Sequence, residues 1–303
     1  GSKNVDAQRA RYLDAVDGYE KLYGEGKNLR LFSVPGRSEI SGNHTDHNYG
    51  RVIAASVNLD ILAVVKPSDD GVIRIKSEGF PEDVVPASAA DAPDASKFFK
   101  SEAIIAGMER AFLNAGYKVG GFSAYTTSNV LKGSGISSSA AFEVMVGNIL
   151  NYLYNDGKVS NVEIAKMAQF AENVYFGKPC GLMDQTACAV GGFITIDFKD
   201  PTTPVIEKMD FDLTSAGYRL CIVNTGGNHA DLNEDYASVP AEMKAVAREL
   251  GVNVLRETCR CALDKRLAEG GTALREKLGD RAIMRAYHFL DENDRVAAQV
   301  EAL

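Results

Sequence analysis

The sequence contains no tryptophan, only four histidines in 303 residues and no long apolar run. No stretch approaches the ~20 apolar residues that cross a bilayer, and the N-terminus lacks the charged-then-apolar pattern of a secretory signal. A cytoplasmic protein with no membrane partner is therefore expected. A basic tract is missing as well: the formal net charge is -8, which argues against nucleic acid as a partner. The histidines form no H-E-x-x-H or similar metal-binding run. The five cysteines, Cys180, Cys188, Cys221, Cys259 and Cys261, are odd in number and lack C-x-x-C spacing. They signal neither a disulfide framework nor a zinc site and read as buried or incidental thiols. Gly1-Ser2 reads as the remnant of a cloning tag.

What is present is the composition of an ordinary globular protein, 45% apolar and 24% charged, in a chain longer than one core usually organises. Two lobes are expected, residues 3–200 and 201–303, divided where Lys199-Asp200-Pro201-Thr202 reads as a turn. Helices are predicted over Asp6 to Tyr23, Ser101 to Ala115, the segment carrying Phe142, Met145, Val146, Ile149 and Leu153, Val162 to Tyr175 behind a Ser160 cap, and from Pro240 onward. Strands are predicted over Leu29 to Pro35, Val52 to Val65, Val72 to Lys76, Phe122 to Val130, Gly192 to Asp197 and Arg219 to Asn224, with a proline-bearing surface loop over Phe80 to Asp94. This mixed order gives an α+β protein, because a doubly wound sheet alternates more regularly.

Three segments carry candidate chemistry. In Val130 to Glu143, Gly133 and Gly135 allow a tight turn whose amide N–H groups converge, and the following helix brings its positive end to the same place. Ser137, Ser138 and Ser139 add hydroxyls for phosphate oxygens or magnesium. A plain Gly/Ser turn entering a helix explains the same composition, and the segment fits neither G-x-x-x-x-G-K-[ST] nor G-x-G-x-x-G. Val34 to Gly50 concentrates Arg37, Glu39, Asn43, His44, Asp46 and His47, a mixture suited to sugar hydroxyls and equally compatible with a solvated loop. Ala171 to Gln185 offers two carboxylates, Glu172 and Asp184, one for magnesium and one for an acceptor hydroxyl, or two surface acids.

Together these segments resemble the GHMP superfamily of small-molecule kinases and, within it, the galactokinases. The family's first motif, approximately P-G-R-V-N-L-I-G-E-H-T-D-Y-N-x-G, is matched by Pro35, Gly36, Arg37, Gly42, His44, Thr45, Asp46, Asn48 and Gly50. Leu131 to Ala140 is similar to its ATP loop, and Cys180-Gly181-Leu182-Met183-Asp184-Gln185 to C-G-[IM]-M-D-Q. The resemblance implies a two-lobed GHMP kinase fold, with a ribosomal protein S5 domain 2-like N-terminal lobe and a ferredoxin-like C-terminal lobe, and ATP and sugar in the cleft between them. It further implies transfer of the γ-phosphoryl group to the 1-hydroxyl of galactose. Asp184 is then the expected catalytic carboxylate, kept ionised by Arg37. Asn43, His44, Asp46, Gly181 and Tyr236 are expected on the sugar. Lys132, Gly133, Ser134, Gly135, Ile136, Ser137, Ser138, Ser139 and Ala140 are expected on ATP, and Ser139 with Glu172 on Mg2+.

The chain departs from the family at four places. Asn43 stands where galactokinases carry a glutamate for the hydroxyls around carbon 6. An amide suits galactose, while the lost charge also admits a carboxylate, as in galacturonic acid. His47 replaces a tyrosine, and Ser38-Glu39 replaces Val-Asn. The glycine-rich third motif has no counterpart before Leu303, so the second lobe is expected to be incomplete. A non-catalytic sensor of sugar and ATP is the reading from another class; such proteins are expected to have a damaged serine loop, whereas Ser137-Ser138-Ser139-Ala140 is complete.

Overall fold

The apolar run after Gly50 becomes β2 (Arg51–Ser68), whose alternate residues enter two different cores. A computed structural model describes the chain except residues 1–4, 89–90, 131–134 and 224–232 and the side chains of residues 233, 234 and 236. Contacts divide the chain into two compact units, residues 1–37 with 56–191, and residues 38–55 with 192–303. The expected boundary at 200/201 thus has its counterpart at 191/192, and the second unit also takes the segment from Ser38 to Ala55.

In the first unit, β2 is antiparallel to β5 (Gly121–Ser128), and β5 is parallel to β3 (Val72–Ser77). On one face Leu62 and Val64 bury Ala15 and Tyr19 of α1 (Val5–Tyr23). On the other, Ile61, Ala63 and Val65 join Ile73, Ile75, Phe122 and Ala124 in the main core. That core is closed by Ile105, Met108 and Phe112 of α2 (Ser101–Asn114), by Met145, Val146 and Ile149 of α3 (Ser138–Tyr154), and by Ile164 of α4 (Asn161–Phe170). Ser160 caps α4 as predicted: its hydroxyl accepts the Glu163 N–H at 3.2 Å, and the Glu163 carboxylate accepts the Ser160 N–H at 3.0 Å.

In the second unit, the first five residues of β2 pair with β6 (Phe193–Asp197), which pairs with β7 (Val205–Met209). Its core is helical. Met243, Val246 and Ala247 of α6 (Asn233–Glu249), Leu263 of α7 (Arg260–Leu278) and Ala282, Ala286 and Phe289 of α8 (Asp280–Ala302) pack together.

Several expectations are corrected. β1 (Arg30–Ser41) does not stop at Pro35 but runs on through Arg37 and pairs with β2. The proline-bearing loop contains an edge strand, β4 (Glu82–Pro86), that buries Val85 and ends on Pro86, where the ladder needs no donor. No strand forms over residues 219–223, which are exposed, whereas β7 was not predicted. Pro240 lies within α6 rather than at its start; the helix gives up a ladder hydrogen bond there and is held by the burial of Met243, Val246 and Ala247. The α-helical part of α4 ends at Phe170 and widens into a π turn, Ala171–Phe176. Cys259 and Cys261 are not free thiols but form a disulfide. Extended backbone at Cys259, just ahead of α7, sets their Cα atoms 5.3 Å apart, within bridging range despite a spacing of two.

Glu109 of α2 is fully buried, and neither carboxyl oxygen has a hydrogen-bond partner. Burial alone pushes its pKa up to about 8. The folded chain therefore holds this proton more tightly than the unfolded chain, where a glutamate titrates near ~4.3. The sign follows: this contribution is whole below about pH 4.3 and is lost progressively as the pH rises from there through about 8, by about 5 kcal/mol in all. Urea unfolding from pH 6 to 9 should show a steeper loss for the native chain than for Glu109→Gln, whatever the variant's absolute stability. Equal slopes would overturn the assignment.

Candidate functional site

Two clusters form in the first unit. Gly36 lets β1 come close to the loop before α3: a Cβ there would lie 2.7 Å from the Ile136 carbonyl oxygen, to which the Arg37 N–H donates at 3.1 Å. This approach aims Arg37. Its Nε and Nη2 meet Oδ1 of Asp184 at 2.8 and 2.7 Å, and Nη1 donates to the Gly135 carbonyl at 2.7 Å. Asp184 sits in the first turn of α5 (Met183–Val190). Its other oxygen, Oδ2, accepts the Ser137 hydroxyl at 2.5 Å. Ser137 takes a left-handed conformation, φ +59°, at the entrance to α3. The loop and the carboxylate are thus joined by three successive residues, Gly135, Ile136 and Ser137.

The second cluster is deeper. Glu172, 2% exposed, stands in the π turn, a backbone irregularity often found at functional sites. Its Oε1 meets the Ser139 hydroxyl at 3.3 Å and Lys178 Nζ at 3.0 Å. Its Oε2 accepts Gln185 Nε2 at 2.8 Å. The same amide nitrogen lies 3.1 Å from Oε2 of Glu143, and both Gln185 and Glu143 are fully buried. Burial, reinforced by the charge of Glu172, raises the Glu143 pKa well above the ordinary carboxylate range. Burial works against the charge on Lys178, but the nearby Glu172 carboxylate outweighs it and raises the pKa. Burial, with the Glu172 charge adding to it, pushes the Cys180 thiol up and leaves it inert.

The second unit carries the polar loop between β1 and β2. Thr45 and Asn48 are fully buried and serve its shape. The Thr45 hydroxyl reaches the Gly42 and Arg51 carbonyls at 2.9 and 2.6 Å, and Asn48 Oδ1 accepts the Leu255 N–H at 3.2 Å. Asn43 is exposed, and His44 and Asp46 are half-buried. The pKa of His44 is lowered, first by burial, with His47, His288 and Arg285 pushing the same way against Asp46.

Among the predicted residues, Arg37, Gly135, Ser137 and Asp184 meet in one cluster and Ser139 and Glu172 in another. Asn43, His44 and Asp46 share the loop of the second unit. Ile136 and Ala140 are buried, Ser138 opens α3, and Gly181 is half-buried just ahead of α5. Lys132, Gly133, Ser134 and the side chain of Tyr236 lie outside the described residues. The sequence reading gave no role to Glu143, Lys178 or Gln185. One signal was available: Ser139 and Glu143 are four apart and so share a face of α3. Among the described residues, no three His, Cys, Asp or Glu side chains gather as a metal site, and no helix is long and apolar enough to cross a membrane.

The chain is similar to known proteins over most of its length. Residues 102–192 match the GHMP kinases N terminal domain, and residues 17–67 match the galactokinase galactose-binding signature. A galactokinase of Streptomyces coelicolor is 34% identical over 294 residues, covering 94% of this chain and 71% of that protein. One from Clostridium tetani is 31% identical, covering 91% and 68%. Among solved structures, Lactococcus lactis galactokinase complexed with galactose shares the fold, with a TM-score of 0.74 at 22% identity over 96% of this chain and 74% of that one.

Gln185 supplies the one amide between two buried carboxyl groups. Replacement by leucine should cost about 2–4 kcal/mol of unfolding free energy in urea titrations, because both acceptors lose their donor. A loss within experimental error would show that other groups hold the pair.

Proposed function

The chain belongs to the galactokinases, within the GHMP kinases, and from that membership we propose that it transfers the γ-phosphoryl group of ATP to the 1-hydroxyl of galactose. The observation that carries the reading is the joining of Arg37, Asp184 and the loop ahead of α3 at one point. A phosphoryl donor bound at the loop is thereby placed beside a carboxylate that can serve an acceptor.

In the proposed reaction an oxygen of Asp184 takes the proton of the sugar's 1-hydroxyl as that oxygen bonds to the γ-phosphorus. The bond from phosphorus to the bridging oxygen breaks, and ADP leaves with its electron pair. Arg37 holds the carboxylate in place and presents positive charge to the moving phosphoryl group. The backbone from Gly135 to Ala140 and the N-terminus of α3 receive the phosphates, together with Lys132, Gly133 and Ser134. Asn43, His44, Asp46, Gly181 and Tyr236 hold the sugar.

Ser139 and Glu172 suit Mg2+. A hydroxyl and a carboxylate from neighbouring elements, completed by phosphate oxygens and water, form the donor set of a hard octahedral cation. Bound there, Mg2+ would neutralise charge on the β- and γ-phosphates. A cytoplasmic location, where ATP is supplied, fits the same reading.

The acceptor follows from His44. Burial keeps its imidazole neutral at pH 7, with one nitrogen donating and one accepting, which suits a hydroxyl better than a carboxylate. ADP release should therefore be supported by galactose, with galacturonic acid at least ~10-fold poorer, the discrimination expected when a site built for a hydroxyl meets the wrong group. A preference for the acid would overturn the choice of sugar. Asp184→Asn should lower kcat by about 10³-fold, in the range of general-base removal, while galactose still binds by calorimetry. Near-normal turnover would remove Asp184 from its role.

A further inference from the structure

The loop between β1 and β2 folds against positive backbone angles at Gly42 (φ +95°), His44 (φ +59°) and Tyr49 (φ +65°). A Cβ at position 42 would come within 2.4 Å of the Arg51 carbonyl oxygen, so only glycine fits there. Such a conformation needs support from outside the loop. That support comes from α8. Glu292, 7% exposed, accepts the Gly42 N–H at 2.9 Å and the Ser41 hydroxyl at 3.2 Å. His288, one turn earlier on the same helix face, donates from Nε2 to the Asn43 carbonyl at 2.7 Å. Asn293 accepts the Arg51 N–H at 3.1 Å on the far side of the loop. These bonds join residues about 250 positions apart in the chain, and α8 lies outside both segments matched by the family descriptions.

We propose that His288 and Glu292 are positioning residues for sugar recognition, latching the backbone of Ser41, Gly42 and Asn43 so that Asn43, His44 and Asp46 are set before the sugar arrives. The inference rests on the reading of this loop as the galactose-binding segment. Neither side chain is assigned to the sugar itself. Glu292 acts through the Gly42 N–H and the Ser41 hydroxyl and His288 through the Asn43 carbonyl, and what they supply is shape. Glu292 carries the buried end of the latch and is also paired with Arg295. His288 carries the exposed end, where truncation removes one hydrogen bond and little packing.

The test uses the full chain and separates the two substrates. His288→Ala should raise the KM for galactose about 3- to 10-fold, as expected for one lost hydrogen bond, with the KM for ATP within twofold and the melting temperature nearly unchanged. His288→Gln, which keeps a donor, should recover most of the loss. Glu292→Ala should have the larger effect on galactose, and Glu292→Gln, which keeps an acceptor for the Gly42 N–H, should reverse it. Should Glu292→Ala fail to fold, the two His288 variants still decide. Unchanged galactose KM in His288→Ala, or an equal rise in both KM values with no recovery in His288→Gln, would overturn the latch. No galactose-dependent ADP release by the unmodified chain, with no calorimetric binding of galactose, would overturn the sugar reading beneath it.

Discussion

Arg37 and Asp184 lie 147 residues apart in sequence, and their ion pair brings a strand, a loop and a helix to one point. Removing charge from water is costly, and a partly buried pair recovers that cost only when its geometry is complete. Here it is complete: three guanidinium nitrogens are used, two on the carboxylate and one on the Gly135 carbonyl, and Ser137 occupies the remaining carboxylate oxygen. The loop cannot shift without disturbing the carboxylate. Neither can the carboxylate rotate without breaking with the loop. A phosphate donor held by one would therefore feel the position of the other.

The same region solves a charge problem. Three carboxyl groups, Asp184, Glu172 and Glu143, are close enough that the first two both act on the third. Three ionised acids this close would repel one another. Each acid is neutralised differently. Asp184 pairs with Arg37, Glu172 with Lys178, and burial raises the pKa of Glu143 and so disfavours its charged form. Gln185 then spans the two buried acids, so that the charge on Glu172 is oriented rather than merely tolerated. The outcome is a cluster in which each carboxyl group has its charge offset by a neighbour or suppressed by burial.

Much of this was legible in the sequence, and the rest failed for identifiable reasons. The apolar run of β2 was read as buried, and its period-2 alternation accounts for both cores, Ile61, Ala63 and Val65 on one side and Leu62 and Val64 on the other. The face of α3 and the Ser160 cap were equally plain. β1 was cut short because Pro35-Gly36 and the polar Ser38-Glu39 look like loop, although pairing with β2 overrides them. β4 was hidden by its prolines, which an edge strand tolerates. Glu109 and Glu143 were invisible because a helix position that reads as polar is normally on the surface, and only packing shows otherwise. The three polar segments stood out by residue type, and the family resemblance supplied the roles expected of them. Which groups bond to which was not legible, since the bond between Ser137 and Asp184 depends on a single left-handed residue.

The loop of the second unit shows how recognition draws on stability elsewhere. A neutral sugar offers hydroxyls but no charge, so its affinity depends on groups already in place; a loop that orders only on binding gives up that affinity as entropy. Thr45 and Asn48 are consumed internally, and Gly42 and Gly50 fit only because they lack side chains. Asn43, His44 and Asp46 sit in a backbone conformation that is held from outside the loop. The helix that stabilises it is anchored by Ala282, Ala286, Phe289 and Val296 along its buried stripe, while positions 288, 292 and 293 beside that stripe hold the loop. The ordering cost of this loop is thus met when the second unit folds, by apolar burial on α8.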